Sequence, residues 1–386
     1  MSDGRGLGRV CLHLLVCSDF VAAAILFPLG IGARGQAPIM SASGDAQAAS
    51  SQAGDGGLAA AATKTAKTES SEQPDALLPE AKSLLQKGML SDAERALRQY
   101  LVQRPDSAEA HYLLGYLLFK GAEASNLLRG PAEGAKVQDP NGVDFLNFRE
   151  VKARASLVQY TEGAKYQDPG ASDLKIVGLD YLVLGYFENA EKWLALSLEL
   201  DPGDSEAWLY LGRTRFDEHK FKEAVSALEQ CLKLDSKNGK AEDNLGLSYA
   251  AVGRQEEAIA AYRNAIALLT ETATKYAGPY LDLGTLLLEQ DRPEEALPFL
   301  RQAVEISPQW SRMHEQLGKA YLRLNQLKDA QSALEKAVEL SPNEFSPHYL
   351  LGQVYQKEGL SEKARVQFDQ ANVLQGTHSS PTAVRP

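Results

Sequence analysis

A spacing of 34 residues recurs through the second half of the chain and constrains its fold more than any other feature. Two sets of three glycines keep this spacing: Gly178, Gly212 and Gly246, followed by Gly284, Gly318 and Gly352. The interval between the two sets is 38 residues, so four residues are inserted there. A fixed period near 34 is typical of stacked helical hairpins, in which each unit packs only on its neighbours. The spacing therefore predicts a helical array and says little about biochemical activity.

The residues around these glycines repeat with them. Two consecutive units contain Trp208, Leu211, Gly212, Ala224 and Leu228, and then Leu245, Gly246, Tyr249, Gly253, Ala258, Tyr262 and Ala265. This pattern resembles the tetratricopeptide repeat, and we interpret the chain as an exported bacterial member of that family. The resemblance implies an all-α fold, a right-handed α-solenoid of about eight helical hairpins. It also implies a concave groove, lined by the first helix of each hairpin, that holds a peptide or a partner's helix.

Each hairpin has a first helix, A, and a second helix, B, with small residues at fixed positions in both. We expect glycine or alanine at the eighth position of helix A to let helix A approach helix B without a side chain between the two backbones. Small residues of helix B serve the same purpose: Ala190, Ala224, Ala258, Ala296, Ala330 and Ala364. Leucine in place of Gly246 or Ala258 should overpack this contact, at a cost of about 1–3 kcal/mol. Three tyrosines are expected to cover the contact with the following hairpin: Tyr249, Tyr321 and Tyr355.

Residues 1–35 have the pattern of an export signal. Arg5 and Arg9 precede an apolar run, and small residues follow it at the positions that a signal peptidase reads. Asp19 interrupts the apolar run, and a charge there opposes insertion into a membrane. A cleaved signal fits this pattern better than an uncleaved membrane anchor or a misassigned start. We therefore expect an exported protein, periplasmic or associated with the cell envelope, whose only membrane contact is this segment if it stays uncleaved.

Four further regions follow along the chain. Residues 36–73 are rich in Ala, Ser, Gly and Gln and contain no aromatic residue, which predicts a disordered linker. Residues 74–376 hold the repeat array, and residues 377–386 form a short tail that we expect to be disordered. An insert of 29 residues, 121–149, interrupts the second repeat. Insertions in repeat arrays usually emerge as loops on one face, and we expect its Phe145 and Phe148 to be buried.

Charge and reactive side chains argue against several functional classes. The formal net charge is −11, which disfavours a general nucleic-acid binder because such proteins need a basic face. His111, His314 and His348 share the fourth position of helix A with Trp208, so we interpret them as packing residues. Cys231 stands at a position that alanine takes in later repeats, which predicts a small buried residue. The motifs of common enzymes are missing, and the sequence predicts no catalytic residue, no metal and no cofactor.

The inward face of the A helices is the place where we expect binding. The candidate groove residues are Leu209, Arg213, Phe216, Lys240, Asn244, Arg312, Lys319, Arg323, Tyr349 and Lys357. Some members of the family bind a carboxylate terminus through a set of Lys, Asn and Arg residues. Here Lys175 occupies the first of those positions, but Leu179 and Tyr210 replace the asparagines, so that set is absent.

A basic cluster lies among these candidates within an acidic protein: Arg312, Lys319, Arg323 and Lys357. One interpretation is that these are solvated charges, balanced by Glu315 and Glu358. The functional interpretation is an anchor for an acidic peptide or a carboxylate terminus, through charge-assisted hydrogen bonds. We therefore predict a non-catalytic scaffold that binds other proteins in envelope or periplasmic assembly. Two alternatives are a recognition subunit of an enzyme complex, with chemistry in the insert, and a self-assembling structural protein.

Overall fold

A computed structural model describes residues 74–124 and 145–378, and these residues form sixteen α-helices and no strand. They fall into two compact units, which divide between Pro105 and Asp106. The first unit contains α1 (Pro74–Gln86) and α2 (Leu90–Gln103). The helices of the second unit are α3 (Ala108–Ala124), α4 (Phe145–Ala164), α5 (Ala171–Val183), α6 (Phe187–Leu200), α7 (Ser205–Asp217), α8 (Phe221–Leu234), α9 (Gly239–Ala251), α10 (Gln255–Glu271), α11 (Gly278–Glu289), α12 (Pro293–Ile306), α13 (Ser311–Arg323), α14 (Leu327–Leu340), α15 (Phe345–Lys357) and α16 (Ser361–His378).

The helices of the second unit pack in sequential pairs, and this confirms the expected all-α fold. In each pair the odd-numbered helix is helix A and the next is helix B. Each helix A also contacts the A helices of the neighbouring hairpins, so the A helices form one continuous surface. We call that surface the groove face; it carries positions two, five, six, nine, twelve and thirteen of α3, α5, α7, α9, α11, α13 and α15. The exact number of repeats stays a prediction.

The turn between helices A and B uses the left-handed backbone region at one repeated position. The residues with positive φ at this position are Gly185, His219, Gly253, Asp291, Asn325 and Gly359. Their spacing follows the 34-residue period and its single 38-residue interval. Glycine suits this conformation because it has no Cβ to clash with the following carbonyl oxygen. His219 takes the same turn position as Gly253, with φ 61° against 80°.

The glycine at the eighth position of helix A makes room for one large side chain of helix B. A Cβ built on Gly246 would lie 2.6 Å from the ring of Tyr262, and one on Gly318 would lie 2.5 Å from Leu334. The glycine therefore makes room in the contact between the two helices, but the expectation that no side chain lies between their backbones is wrong. The side chain sixteen residues later, on helix B, lies against the glycine. The six alanines expected on helix B are buried as well.

The repeated tyrosines direct their hydroxyl groups to the preceding hairpin, and the contact of their rings with the following hairpin stays a prediction. The Tyr249 hydroxyl donates to Glu229 on α8 at 3.1 Å, and the Tyr355 hydroxyl donates to Glu335 on α14 at 2.8 Å. Tyr321 accepts a hydrogen bond from Arg301.

The insert 121–149 is helical at both ends. Helix α3 continues to Ala124, and α4 begins at Phe145 and has 20 residues, against 14 in helices such as α6 and α8. Phe148 is 37 % exposed, so the prediction that it is buried is wrong. The ammonium of Lys152 lies 5.8 Å from the centre of its ring, which gives the ring a favourable contact at the surface.

The four extra residues of the 38-residue interval lengthen one helix and one loop. Helix α10 has 17 residues, and the loop after it brings Tyr276 to the start of α11. The hydroxyl of Tyr276 donates to Asp243 Oδ2 on α9 at 2.8 Å. The inserted residues therefore place a hydrogen-bonding side chain on the groove face.

Several sequence predictions lie outside the described residues. These are the export signal 1–35, the linker 36–73, the central part of the insert and nearly all of the tail 377–386. None of the helices within the described ranges combines the length and the apolar character that a membrane span needs.

Candidate functional site

The groove face contains a cavity of about 660 Å³ at the start of the second unit. Its walls come from α3, from α5 and from the first turn of α7, with one contribution from α4. Four aromatic side chains line it: Tyr112, Tyr116, Phe119 and Tyr160. Its volume lies in the range of cavities that hold small ligands or several side chains of a bound segment. We call it the aromatic pocket.

Two glycines position the tyrosines of this pocket. Tyr160 is 2 % exposed, and its ring lies against Gly115, where a Cβ would come within 2.8 Å. Tyr112 lies against Gly163 in the same way, where a Cβ would come within 2.5 Å. The two rings stack with their centres 5.7 Å apart, and the Tyr112 hydroxyl donates to the carbonyl of Gln167. These contacts fix the ring orientation before any partner arrives.

Charged side chains surround the aromatic surface. The Lys175 ammonium lies 2.8 Å from Asp204 Oδ2 and 2.8 Å from Glu206 Oε2. Burial lowers the pKa of Lys175, but the hydrogen bonds to the two carboxylates outweigh burial, and its pKa ends above the ordinary value. Lys175 therefore stays charged, and two carboxylates surround its single positive charge.

Asp173 adds a further acidic group to the wall of the pocket. Its Oδ2 accepts a hydrogen bond from the Gly170 backbone N–H at 2.9 Å, at the start of α5. Burial raises the pKa of Asp173, and the hydrogen bond from Gly170 opposes the rise. Burial raises the pKa of Tyr112 and of Tyr160, and in both cases the charge of Asp173 raises the pKa further. The hydroxyl groups of the pocket therefore lie in a negative electrostatic potential.

Sequence reasoning missed this pocket. Three of its four aromatic residues occupy positions five, nine and twelve of α3, which face inward. The insert interrupts the sequence pattern of this repeat. The signal that could have found it is the spacing of Tyr112, Tyr116 and Phe119, because residues four and three apart share one face of a helix.

A second group of polar side chains lies in the middle of the groove face. Asp243 on α9 is buried, and its Oδ1 has no hydrogen-bond partner, while its Oδ2 accepts from Tyr276. Burial raises the pKa of Asp243, and the charge of Asp282 on α11 raises it further. Burial raises the pKa of Asp282 to about 6, although the charge of Arg312 opposes the rise. The charge of Asp282 therefore disfavours the ionisation of Asp243.

The candidate groove residues of α7 and α9 have different environments. Leu209 is 9 % exposed and belongs to a buried apolar cluster with Ala241 and Leu245 on the next helix A, so little of its side chain reaches the groove, and its role in binding stays a prediction. A short apolar side chain at this position can turn inward and join the core. Phe216 is half-buried against Phe221, with ring centres 5.3 Å apart. The exposed side chains are Arg213 and Lys240, and the Asn244 amide donates to the carbonyl of Lys240.

The four residues of the predicted basic cluster differ in their exposure and in their contacts. Arg323 donates to the carbonyl of Leu288 and forms an ion pair with Asp291 at 3.0 Å, so it connects α13 to the preceding hairpin. Arg312 and Lys357 are exposed, and Lys319 is half-buried. Tyr349 is 43 % exposed and lies between the rings of Phe345 and Phe368.

The histidines and the cysteine have the structural roles that the sequence predicted. His314 and His348 direct Nε2 to the carbonyls of Pro308 and Pro342, at 2.8 and 2.9 Å, as Trp208 does with Pro202 at 3.0 Å. A carbonyl only accepts hydrogen bonds, so each histidine carries its proton on Nε2.

His111 is buried and lies 2.9 Å from Gln159. Cys231 is fully buried, and burial raises the pKa of its thiol to about 11, which leaves little reactive thiolate at neutral pH. In the part of the chain that the structure describes, His, Cys, Asp and Glu side chains nowhere gather in threes as a metal site requires.

Family models match four segments of the chain, and all four describe the tetratricopeptide repeat. The matched residues are 78–124, 205–238, 239–309 and 318–359, together about half of the sequence. Among curated proteins, the PEX5-related protein of Homo sapiens is 42 % identical over 64 residues, which is 17 % of this chain and 10 % of that protein. The chain spans about a tenth of the length of the curated relatives it matches.

One solved structure supports the same fold. A chain of the APC/C hetero-tetramer Cut9-Hcn1 has a TM-score of 0.50 at 18 % identity, over 80 % of this chain and 54 % of that chain. At this identity the likeness concerns the fold alone. YrrB, described as a TPR protein with an unusual peptide-binding site, has a TM-score of 0.41 at 23 % identity, over 48 % of this chain and 93 % of that chain.

Proposed function

The chain belongs to the tetratricopeptide-repeat proteins, and we propose that it is a non-catalytic scaffold that binds a segment of a partner protein on its groove face. Proteins with this fold generally mediate protein–protein interactions. The binding element of the partner would be an extended peptide or a helix. Affinity would come from apolar contacts, and the charged groups would set the orientation of the segment.

The aromatic pocket is the observation that carries this proposal. It joins two neighbouring A helices, so an occupant contacts two repeats at once. Tyr112 and Tyr160 are held by glycines and by stacking, and such rigid rings lose little conformational entropy on binding. Tyr116, which is half-buried, leaves part of its ring accessible at the pocket wall. Interfaces are enriched in aromatic side chains because these bury much area and also carry a polar end.

Two finer points remain proposals that rest on the sequence. The pattern of residues 1–35 supports export and a role in envelope or periplasmic assembly. The exposed Arg312 and Lys357 support a second contact, with an acidic part of the same partner or with a carboxylate terminus. N-terminal sequencing of the protein from fractionated cells tests export. Loss of a segment near residues 1–35 in the envelope or periplasmic fraction is expected, whereas Met1 retained in a purely cytosolic protein contradicts it.

Site-specific photo-cross-linking in the native host tests the binding proposal. A benzoylphenylalanine is introduced in place of Tyr116 in one strain, and in place of Tyr186 in a matched strain. Tyr186 is exposed in the turn after α5, away from the pocket. A partner that cross-links from position 116 and not from 186 supports the groove face as the binding surface. The same partner from both positions, or no adduct from position 116, contradicts it.

A further inference from the structure

We propose that the aromatic pocket selects a lysine or arginine side chain of the bound segment, so that the partner is basic at this point of contact. This inference rests on the proposed function, because it names the chemistry of the segment that the same pocket holds. It differs from the anchor expected at the basic cluster, which would take an acidic group from another part of the segment. The argument has three parts: the rings, the charges and the shape of the pocket.

The rings offer faces that attract a cation. An ammonium or guanidinium group over an aromatic face is stabilised by the negative charge density of the ring. The protein already shows this contact at the pocket wall, where Lys120 Nζ lies 5.7 Å from the ring centres of both Tyr116 and Phe119. Tyr112 and Tyr160 also line the pocket, where they stack on each other and lie deeper.

Acidic groups outnumber basic ones in and beside the pocket, where two lysines, Lys120 and Lys175, face four carboxyl groups. Lys175 is surrounded by Asp204 and Glu206, so this group of three carries a net negative charge. Asp173 adds a carboxyl group in the wall, and Glu109 adds another at the rim. A carboxylate ligand placed here would meet like charges in a partly desolvated site, which is costly. A basic ligand would meet the opposite sign.

The shape of the pocket fits a long side chain that ends in a charge. The deep part is apolar, with Phe119, Ile176 and Leu179 buried or nearly buried around the rings. Lysine and arginine have apolar stems that pack along such surfaces while the charged end reaches polar groups. At about 660 Å³ the cavity exceeds one side chain, so neighbouring residues of the segment would fill the remainder.

Four matched peptides test the proposal on the full-length chain. Each is an acetylated and amidated pentapeptide, Gly-Ser-X-Ser-Gly, in which X is lysine, arginine, norleucine or glutamate. Norleucine keeps an apolar stem like that of lysine without the ammonium group. The readout is the fluorine NMR spectrum of protein that contains 3-fluorotyrosine, with the signals of Tyr112, Tyr116 and Tyr160 assigned from single Tyr→Phe variants. Binding is titrated from the shifts of these signals.

We expect the lysine and arginine peptides to bind about tenfold more tightly than the norleucine peptide, which corresponds to a single cation–aromatic contact with neighbouring carboxylates. The glutamate peptide should leave the signals unchanged. Asp173→Asn keeps the side-chain shape and should weaken the lysine peptide several-fold, while the norleucine peptide is unaffected. Asp329→Asn, an exposed position on α14, is the matched control and should change nothing.

Three results would overturn the inference, and they separate it from the proposed function. Norleucine binding as tightly as lysine would refute the charge preference while the pocket remains a peptide site. Tighter binding of glutamate would show the opposite preference. If no peptide shifts the pocket tyrosines, the pocket does not select these side chains. A partner that still cross-links from position 116 would then bind the groove face by other contacts.

Discussion

Replacing Asp282 with asparagine should stabilise the protein at neutral pH and have little effect at pH 4. The folded pKa of Asp282 is about 6, above the ordinary value of 3.8, because the carboxyl group is buried, although the charge of Arg312 opposes the rise. A raised carboxyl pKa means that the folded state holds its proton more tightly than the unfolded state does. Stability from this group is therefore present below pH 3.8 and is lost as pH rises through 6.

The size of the effect follows from the difference between the two pKa values. About two pKa units correspond to about 3 kcal/mol at pH 7, since each unit is 1.36 kcal/mol. The same relation gives about half of that at pH 5 and less than 1 kcal/mol at pH 4. Asparagine keeps the shape and removes the charge, but it also loses the attraction of Arg312, so a gain of about 1–3 kcal/mol at pH 7 is expected.

Hydrogen exchange detected by mass spectrometry measures this gain locally, on peptides from α9 and α11, and so avoids assuming two-state unfolding of a repeat array. The matched control is Glu289→Gln, an exposed carboxyl group at the end of α11, which should change stability by less than about 0.5 kcal/mol. The reasoning is refuted if Asp282→Asn destabilises these helices at pH 7. It is equally refuted if the gain is the same at pH 7 and pH 4.

Three further substitutions test the packing of the array, each by thermal and urea denaturation. His219→Gly should stabilise the protein by up to about 1 kcal/mol, because glycine holds a positive φ without strain; a clear loss of stability would contradict this. Gly318→Ala should lower the free energy of unfolding by up to about 2 kcal/mol, because the added Cβ would collide with a leucine of α14. Gly121→Ala is the matched control: its added Cβ meets open space, and it should raise the free energy of unfolding by up to about 1 kcal/mol. Arg323→Glu should cost about 1–2 kcal/mol because it breaks the link to α11, while Lys357→Glu should be neutral; equal effects would mean that the link is unimportant.

The sequence could predict those parts of the structure that every repeat must satisfy. The same local contacts recur in every repeat and fix the same residue types. They require glycine at position eight of helix A, alanine in helix B and a residue with positive φ, such as Gly253, in the turn. The sequence also predicted that tryptophan and histidine have the same structural role at position four. Both rings donate an N–H to a backbone carbonyl there.

The binding surface was harder to predict, because it depends on how side chains from different hairpins meet. Leu209 faces inward by position, yet it is short enough to pack under the next helix A. Arg323 looks like one member of a basic cluster, but its partners lie 32 and 35 residues earlier, on another hairpin. The aromatic pocket combines α3, α4 and α5, and the insert between α3 and α4 hides their common register in the sequence.

The hydrogen bonds of Tyr249, Tyr321 and Tyr355 give the array a polarity. Each tyrosine depends on the hairpin before it, through Glu229, Arg301 or Glu335, and none of these three bonds points to the hairpin after it. Trimming hairpins from the C-terminal side would return a glutamate or an arginine to water, which solvates it readily. Trimming from the N-terminal side would instead uncover a tyrosine ring. Two truncation series of equal length should therefore differ in solubility, and the series trimmed from the N-terminal side should be the less soluble.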